Sequence, residues 1–305
     1  MSLLDRRLLI TAGKGGVGRS TVSAALALAA AQSGKRVLVC EVNTQPRIPG
    51  LFDSQVQGDE PFPVAPGVDS LVVRPDPAMR EYVLMKLRFE TLYRAVFENR
   101  WVSRFLHFIP SLPELVMLGK ILFHVRERHW DLVVIDAPAT GHGITFLGVP
   151  QAILDTVPPG AMHSEALWMR DLLVDPDRTL VNLVSLPEEL PVNETLELAG
   201  ATESQLGMGL GRVFLNRFVP ERFSADERRL FPPPGADEER APLLDAAFRA
   251  AHAQALRAER SAHFRERLQR GLDLPLTALP QIFHPASFGA AQTRELAAAM
   301  IREGL

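Results

Sequence analysis

The densest chemistry in the chain lies in nine consecutive residues, Gly13-Lys14-Gly15-Gly16-Val17-Gly18-Arg19-Ser20-Thr21. Glycines let backbone N–H groups turn inward around an anion without Cβ clashes. A helix starting just beyond them adds unpaired N–H donors and the positive end of its dipole. Ser20 stands where a hydroxyl would bind Mg²⁺. The spacing follows G-x-x-x-x-G-K-[ST] with one departure, Arg19 in the lysine position. Arginine keeps the charge, but its longer, planar fork is no simple substitute for an ammonium in a tight loop. Lys14, just after the first glycine, is a second basic residue.

The flanks decide between a phosphate loop and an ordinary glycine-rich turn. Leu8-Leu9-Ile10 is a short apolar run ahead of the glycines, and an Ala- and Leu-rich helical pattern runs from Thr21 to Gln32. Strand, loop and helix in that order are the context a phosphate site needs. A second strand is expected over residues 36–42, completing a βαβ unit. Residues 43–67 carry five prolines and read as loop.

Asp131-Leu132-Val133-Val134-Ile135-Asp136 is the clearest buried strand. An acid ending such a strand suits the carboxylate that organises Mg²⁺ in phosphoryl transfer. A cap or turn former is the plainer alternative for Asp136. The turn Ala137-Pro138-Ala139-Thr140-Gly141-His142-Gly143 follows at once. It is placed to respond to a γ-phosphate, with His142 positioning the switch or entering a helix rather than acting as a base.

Further strands are expected over residues 69–74, 179–186, 212–216 and 274–279. Helices are expected from Asp76 (through Tyr82, Met85, Phe89, Leu92, Tyr93 and Val96) and over 111–128, 144–156, 164–173 and 288–303, with another ending near Leu206. Residues 221–271 read as one or two solvated helices broken at Pro232–Gly235. The apolar faces within 76–128, and the cluster around Met162, Trp168 and Met169, are ordinary core or the wall of a groove for a hydrophobic client. Strands alternating with helices predict an α/β fold with a mostly parallel sheet and helices on both faces. One domain over residues 1–305 is expected, with helical insertions at roughly 76–128 and 150–175.

Composition narrows the function classes. The 305 residues are 47% hydrophobic and 23% charged, an ordinary globular balance. A net charge of −3 gives no global field for nucleic acid or anionic membrane. The one cysteine, Cys40, forms no intrachain disulfide and no Cys-x-x-Cys metal site. A reducing, cytoplasmic setting is the expectation, with no signal peptide and no stable membrane anchor.

Lys-Gly-Gly-Val-Gly followed by a basic residue and Ser-Thr resembles the deviant phosphate loop of the MinD/ParA/ArsA class of ATPases. The stretch from Asp136 through His142, then Phe146-Leu147, resembles the second switch of the ArsA branch, which includes the arsenite-pump ATPase and the tail-anchored-protein targeting factor. The resemblance implies ATP and Mg²⁺ as cofactors, with Gly13 through Thr21 around the phosphates and Ser20 and Asp136 at the metal. It implies Lys14 acting across a dimer interface, so Lys14 and Arg19 are the candidate catalytic residues. It also implies that Asn216, an Asx-turn former on the plainer reading, meets adenine together with the loop at Pro280 and Gln281.

The same family carries two carboxylates after the second strand where this chain has Asn43 and Gly50; Glu41 and Asp53 lie nearby but out of register. Losing both a water-orienting carboxylate and the loop lysine predicts slow or absent hydrolysis. The family's paired zinc cysteines are missing as well. The expected function is an ATP-dependent switch that dimerises over nucleotide and couples closure to a client. Alternatives are a degenerate subunit paired with an intact paralogue, so a homodimer or a heterodimer, and a MinD/ParA-like positioning ATPase. An arsenite pump would want thiolates that one cysteine does not provide.

Overall fold

A computed structural model describes residues 2–87, 112–231, 242–283 and 288–305. Along these come β1 (Leu8–Gly13), α1 (Arg19–Gln32), β2 (Val37–Val42), β3 (Phe62–Ala65), β4 (Val68–Val73), α2 (Pro75–Leu87) and α3 (Leu112–Glu127). Then follow β5 (Leu132–Asp136), α4 (Thr140–Thr156), α5 (Ala161–Val174), β6 (Thr179–Ser185) and α6 (Glu189–Leu206). The remainder is β7 (Leu210–Phe218), α7 (Ala225–Arg229), α8 (Pro242–Gly271), β8 (Leu276–Pro280) and α9 (Ala290–Arg302).

The strands form one sheet in the order β3-β4-β2-β5-β1-β6-β7-β8. All neighbours run parallel except β3, which pairs antiparallel with β4 at the edge. β1, β2 and β5 are buried at every position, so their apolar runs have no polar alternation to break them.

Alternate residues feed two cores. Leu8, Ile10, Leu38, Cys40, Val133 and Ile135 pack with α3, α4, α5 and α6, through residues such as Leu118, Phe146, Leu172 and Leu198. Leu9, Val37, Val39, Val134 and Phe214 pack on the other face with α1 and α9, through Leu26, Ala29, Leu296 and Met300. Each fully buried aliphatic side chain contributes roughly 1.5–3 kcal/mol of transfer free energy. The run of alanines in α1, buried from Val22 to Ala30, lets that helix lie close against both the sheet and α9. This is the α/β architecture of a phosphate-loop nucleoside-triphosphatase.

Several boundaries differ from expectation for local reasons. β3 lies inside the proline-rich stretch 43–67; as an edge strand it tolerates Pro63, whose missing N–H would break an interior ladder. α4 begins at Thr140 rather than near 144, so the turn at Thr140-Gly141-His142 is the first turn of a helix. A Cβ at Gly143 would press on the Pro138 carbonyl, so a glycine of poor helix propensity is the residue that fits. α8 is not wholly solvated, since Ala258, Ser261, Phe264 and Leu268 are buried. The apolar spacing expected at Phe89, Leu92, Tyr93 and Val96, and the break at Pro232–Gly235, lie outside the described residues.

Candidate functional site

β1 ends at Gly13, the chain turns through Lys14–Gly18, and α1 starts at Arg19. Gly18 is the N-cap, in the left-handed region at φ 92°, and offers no side-chain cap to the first N–H groups of α1. A Cβ at Gly18 would also overlap Asn216 Nδ2, so both backbone and space require glycine. Gly15 and Gly16 face open space, while Val17 is buried beneath them. The glycines thus leave the outer side of the loop open, over the buried Val17 side chain.

Parallel pairing aligns Thr11 of β1 with Asp136 of β5, and Asp136 with Glu41 of β2. All three side chains fall on the α1 face of the sheet, beneath the first turns of that helix. Ser20 Oγ donates to Asp136 Oδ2 at 2.6 Å. Thr11 donates to the Ile135 carbonyl at 3.0 Å and meets the Ser23 hydroxyl closely. Burial pushes the Asp136 carboxyl above its ordinary range, while the Ser20 hydroxyl, Arg19, Arg47 and Ser23 pull it back. Its Oδ1 accepts no well-formed hydrogen bond among the described residues.

Glu41 is completely buried. Its Oε1 accepts the Arg47 N–H at 2.7 Å, and Oε2 has no well-formed hydrogen bond among the described residues. Burial pushes its carboxyl up to about 7, against the backbone N–H groups of Arg47 and Ile48 that favour its charge. Asp53, the other nearby acid, is turned away: Oδ2 accepts the Ala290 N–H at 3.3 Å at the start of α9.

Arg19 reaches across to donate to the Ala137 carbonyl, the residue after Asp136. Burial depresses its guanidinium pKa, with Asp136 opposing that shift. Lys14 Nζ pairs with Glu194 Oε1 of α6 at 2.6 Å, each side chain about one-third exposed at 30% and 28%. Both basic residues of the loop are thus held within the chain.

Asn216 closes the other end. Its Nδ2 donates to the Val17 carbonyl at 2.9 Å and its Oδ1 accepts the Arg217 N–H at 3.0 Å. Asn216, Pro280, Gln281 and Phe288 line a pocket of about 350 Å³ together with Gly18 and Thr21. The structure therefore brings Ser20, Asp136 and Arg19 together at one end of α1, and Asn216, Pro280 and Gln281 beside its first turn. It leaves Lys14 apart, turned to α6. The sequence motifs did not single out Thr11 or Ser23, and Glu41 was noted only as an acid out of register. The signal for Glu41 was the two-residue period that puts Val37, Val39 and Glu41 on one face of β2. A separate, mostly apolar cavity of about 300 Å³ lies among α2, α3 and α5, lined by Leu115, Val116, Phe123, Met162, Trp168 and Met169.

The family model described as anion-transporting ATPase matches residues 6–158, half of the chain and all of this strand-loop-helix and β5 region. The chain belongs to the ArsA family of ATPases. It is 33% identical over 225 residues to a Mycobacterium tuberculosis protein named ATPase BagA, covering 70% of this chain and 66% of that one. It is 23% identical over 264 residues to a protein provisionally named arsenical pump-driving ATPase 1 from Aquifex aeolicus, covering 74% and 66%. It is 26% identical over 143 residues to ATPase ASNA1 homolog 2 of Paramecium tetraurelia, covering 47% and 43%. The match thus spans just under two thirds of the length of the mycobacterial relative. Among the described residues of this ArsA-family chain, no helix is long and apolar enough to cross a membrane.

Proposed function

We propose that this ArsA-family chain is an ATP-dependent switch. It binds Mg-ATP at Gly13–Thr21, pairs over the nucleotide with a second copy or a paralogue, and couples closure to a hydrophobic client, with slow hydrolysis. One observation carries the reading. Ser20 and Asp136 converge from α1 and β5 to 2.6 Å, and Gly18 and Thr21 on either side of that point also wall the pocket of Asn216, Pro280 and Gln281. On this reading the Ser20–Asp136 pair takes the cation, the pocket beside Asn216 takes the base, and the loop between Gly13 and Gly18 takes the phosphates.

The residues fit a divalent cation. Ser20 offers a hydroxyl, and Asp136 offers a buried carboxylate with one oxygen unmet. Magnesium, when bound, supplies charge neutralisation at the β- and γ-phosphates. The loop N–H groups hold phosphate oxygens, and Asn216 meets the base while bracing the loop. Arg19, bonded to the Ala137 carbonyl, ties the loop to the chain entering α4 and so relays movement at the phosphate to that helix. For Lys14 to reach a partner it must leave Glu194, and a part-exposed, solvent-screened pair of this kind contributes only about 0–1 kcal/mol. The cavity among α2, α3 and α5 supports the client part of the reading.

The test is calorimetric titration of the purified chain with ADP and ATP in Mg²⁺. Binding of both, with ADP displaced by ATP, is expected. No heat, and no competition, would end the reading.

A second reading is favoured by the loop itself: Arg19 and Lys14 both hold partners within the chain, and neither Asn43 nor Gly50 carries a charge. On this reading the chain binds nucleotide but turns it over only beside an intact paralogue. Phosphate release then arises only on mixing the two chains, and robust turnover by this chain alone removes the idea.

A further inference from the structure

Resting on the nucleotide reading above, we infer that Glu41 is a second metal-site carboxylate, which with Asp136 receives the water shell of the nucleotide-bound divalent cation and ties the site to the loop after β2. Glu41 and Asp136 are register partners on adjacent parallel strands, so their side chains leave the sheet side by side on the α1 face. Glu41 is 0% exposed and Asp136 is 6% exposed. Each spends one oxygen on the chain: Asp136 Oδ2 accepts from Ser20, and Glu41 Oε1 accepts the Arg47 N–H. Each leaves the other oxygen without a well-formed partner among the described residues.

Two buried carboxyl groups on register-paired residues, each with an oxygen lacking a partner, are costly, because burial strips their water shells and the Asp136 charge disfavours that of Glu41. Holding the loop does not explain the arrangement. The Arg47 and Ile48 N–H groups need only an acceptor, and a neutral glutamine carbonyl would provide one without the second charge. A divalent cation with its inner water does explain it, since hydrated Mg²⁺ offers donors to carboxylates beyond its direct ligands. The neighbouring acid Asp53 is committed to the start of α9, and Asn43 and Gly50 carry no charge, so Glu41 is the acid of this segment that faces the site. Its two oxygens then have two tasks. Oε2 senses the loaded cation, and Oε1 transmits the state to the loop through Arg47.

The test uses three forms of the full chain: wild type, Glu41→Gln, and Glu41→Gln combined with Asn43→Asp. Asn43 sits at φ 45°, a region aspartate also tolerates, so the second substitution returns a carboxylate to the same loop without backbone strain. ADP affinity is measured by calorimetry with Mg²⁺ and with EDTA, and the unfolding temperature of the nucleotide-free protein is measured at pH 8. For Glu41→Gln the expected result is an unfolding temperature equal to or above wild type and unchanged ADP affinity in EDTA. The affinity gained from Mg²⁺ should fall at least about tenfold, with part of it regained in the double variant.

An undiminished Mg²⁺ gain in Glu41→Gln would overturn the inference while leaving nucleotide binding standing. So would a lower unfolding temperature with affinity lost equally in Mg²⁺ and EDTA, the signature of a purely structural role. If wild type itself binds no ADP in Mg²⁺, the nucleotide reading falls first and the inference with it. If Glu41→Gln does not fold, the wild type, Asn43→Asp and Glu41→Asp take over. A Mg²⁺ gain unaltered when Glu41 is shortened to aspartate then overturns the inference, and a loss restored by adding Asn43→Asp upholds it.

Discussion

Asn216 and Val17 are 199 positions apart in sequence, yet the Asn216 side-chain amide donates to the Val17 carbonyl at 2.9 Å. That bond fastens the end of β7 to the glycine loop, so the pocket Asn216 lines is braced against that loop. Asn216→Ala leaves the Val17 carbonyl unmet in a buried site, a loss of about 1–3 kcal/mol. The expected outcome is a lower unfolding temperature together with weaker ADP binding, followed by calorimetry and thermal denaturation. Gly18→Ala should be at least as severe, because the new Cβ strains φ and collides with the same amide. Normal ADP affinity in both variants would show that loop and pocket are independent.

Ser20→Ala separates cation from phosphate. The hydroxyl donates to Asp136 at 2.6 Å, so its removal leaves a buried carboxylate oxygen unmet and should cost about 1–3 kcal/mol of stability. ADP affinity in EDTA should stay within about twofold, while the increment from Mg²⁺ falls by about tenfold or more. Titrations in Mg²⁺ and in EDTA check this directly. An equal loss in both buffers would place Ser20 among the phosphate contacts instead.

Arg19→Lys tests whether the loop arginine restrains turnover. The guanidinium is held by the Ala137 carbonyl, and burial works against its charge. A lysine ammonium is compact and rotatable, and suits a point contact with phosphate in a tight loop. We expect phosphate release to rise by about tenfold, since this chemistry depends on positioned charge. A rate that falls or stays flat would mean that the arginine is adapted to its place and that slow turnover has another cause.

The site was legible in sequence wherever chemistry is encoded by neighbours along the chain. The loop from Gly13 to Thr21 and the strand end at Asp136 follow from local spacing and from an apolar run that must end at the sheet edge, whereas Asn216 was marked out by the family resemblance and reads locally as an Asx-turn former. Glu41 was harder, because its meaning depends on strand order. Only when β5 lies between β1 and β2 do Thr11, Asp136 and Glu41 form one row, and no local pattern states that order. Asp53 looked like a substitute acid by its position in the sequence, but it caps α9, an element some 237 residues away. β3 was hidden by its proline, which an edge strand tolerates. The start of α4 was hidden by two glycines, at least one of which is there for close approach rather than flexibility.

Lys14→Ala should leave the monomer almost untouched. Its pair with Glu194 is about one-third exposed, so screening limits it to about 0–1 kcal/mol. Unfolding temperature and monomeric ADP affinity should match wild type closely. If Lys14 acts across an interface, the variant loses ATP-dependent self-association, or association with a paralogue, in analytical ultracentrifugation. A variant that still associates and also loses several degrees of stability would make the lysine a simple strut for α6.

His124 on α3 gives a pH prediction away from the nucleotide. Its ring is buried edge-on against Trp130 at 5.2 Å, and neither ring nitrogen has a hydrogen-bond partner among the described residues. Burial depresses its pKa, aided by Lys120 and His129, while Glu81 and Glu127 oppose the shift. The folded state therefore holds this ring neutral, and the unfolded chain takes up a proton below its ordinary value of about 6.5. A group whose folded pKa is depressed stabilises the fold above the unfolded value and loses that contribution as pH falls toward the folded one. Glu41 slopes the other way, since its raised pKa favours the fold at low pH and disfavours it as pH rises toward about 7. Wild type alone would blend the two. The difference between wild type and His124→Leu isolates the ring: the variant should gain on wild type in unfolding temperature between pH 7.5 and 5.5, values chosen to bracket about 6.5. Parallel curves across that window would mean that the ring finds a partner or solvent when protonated.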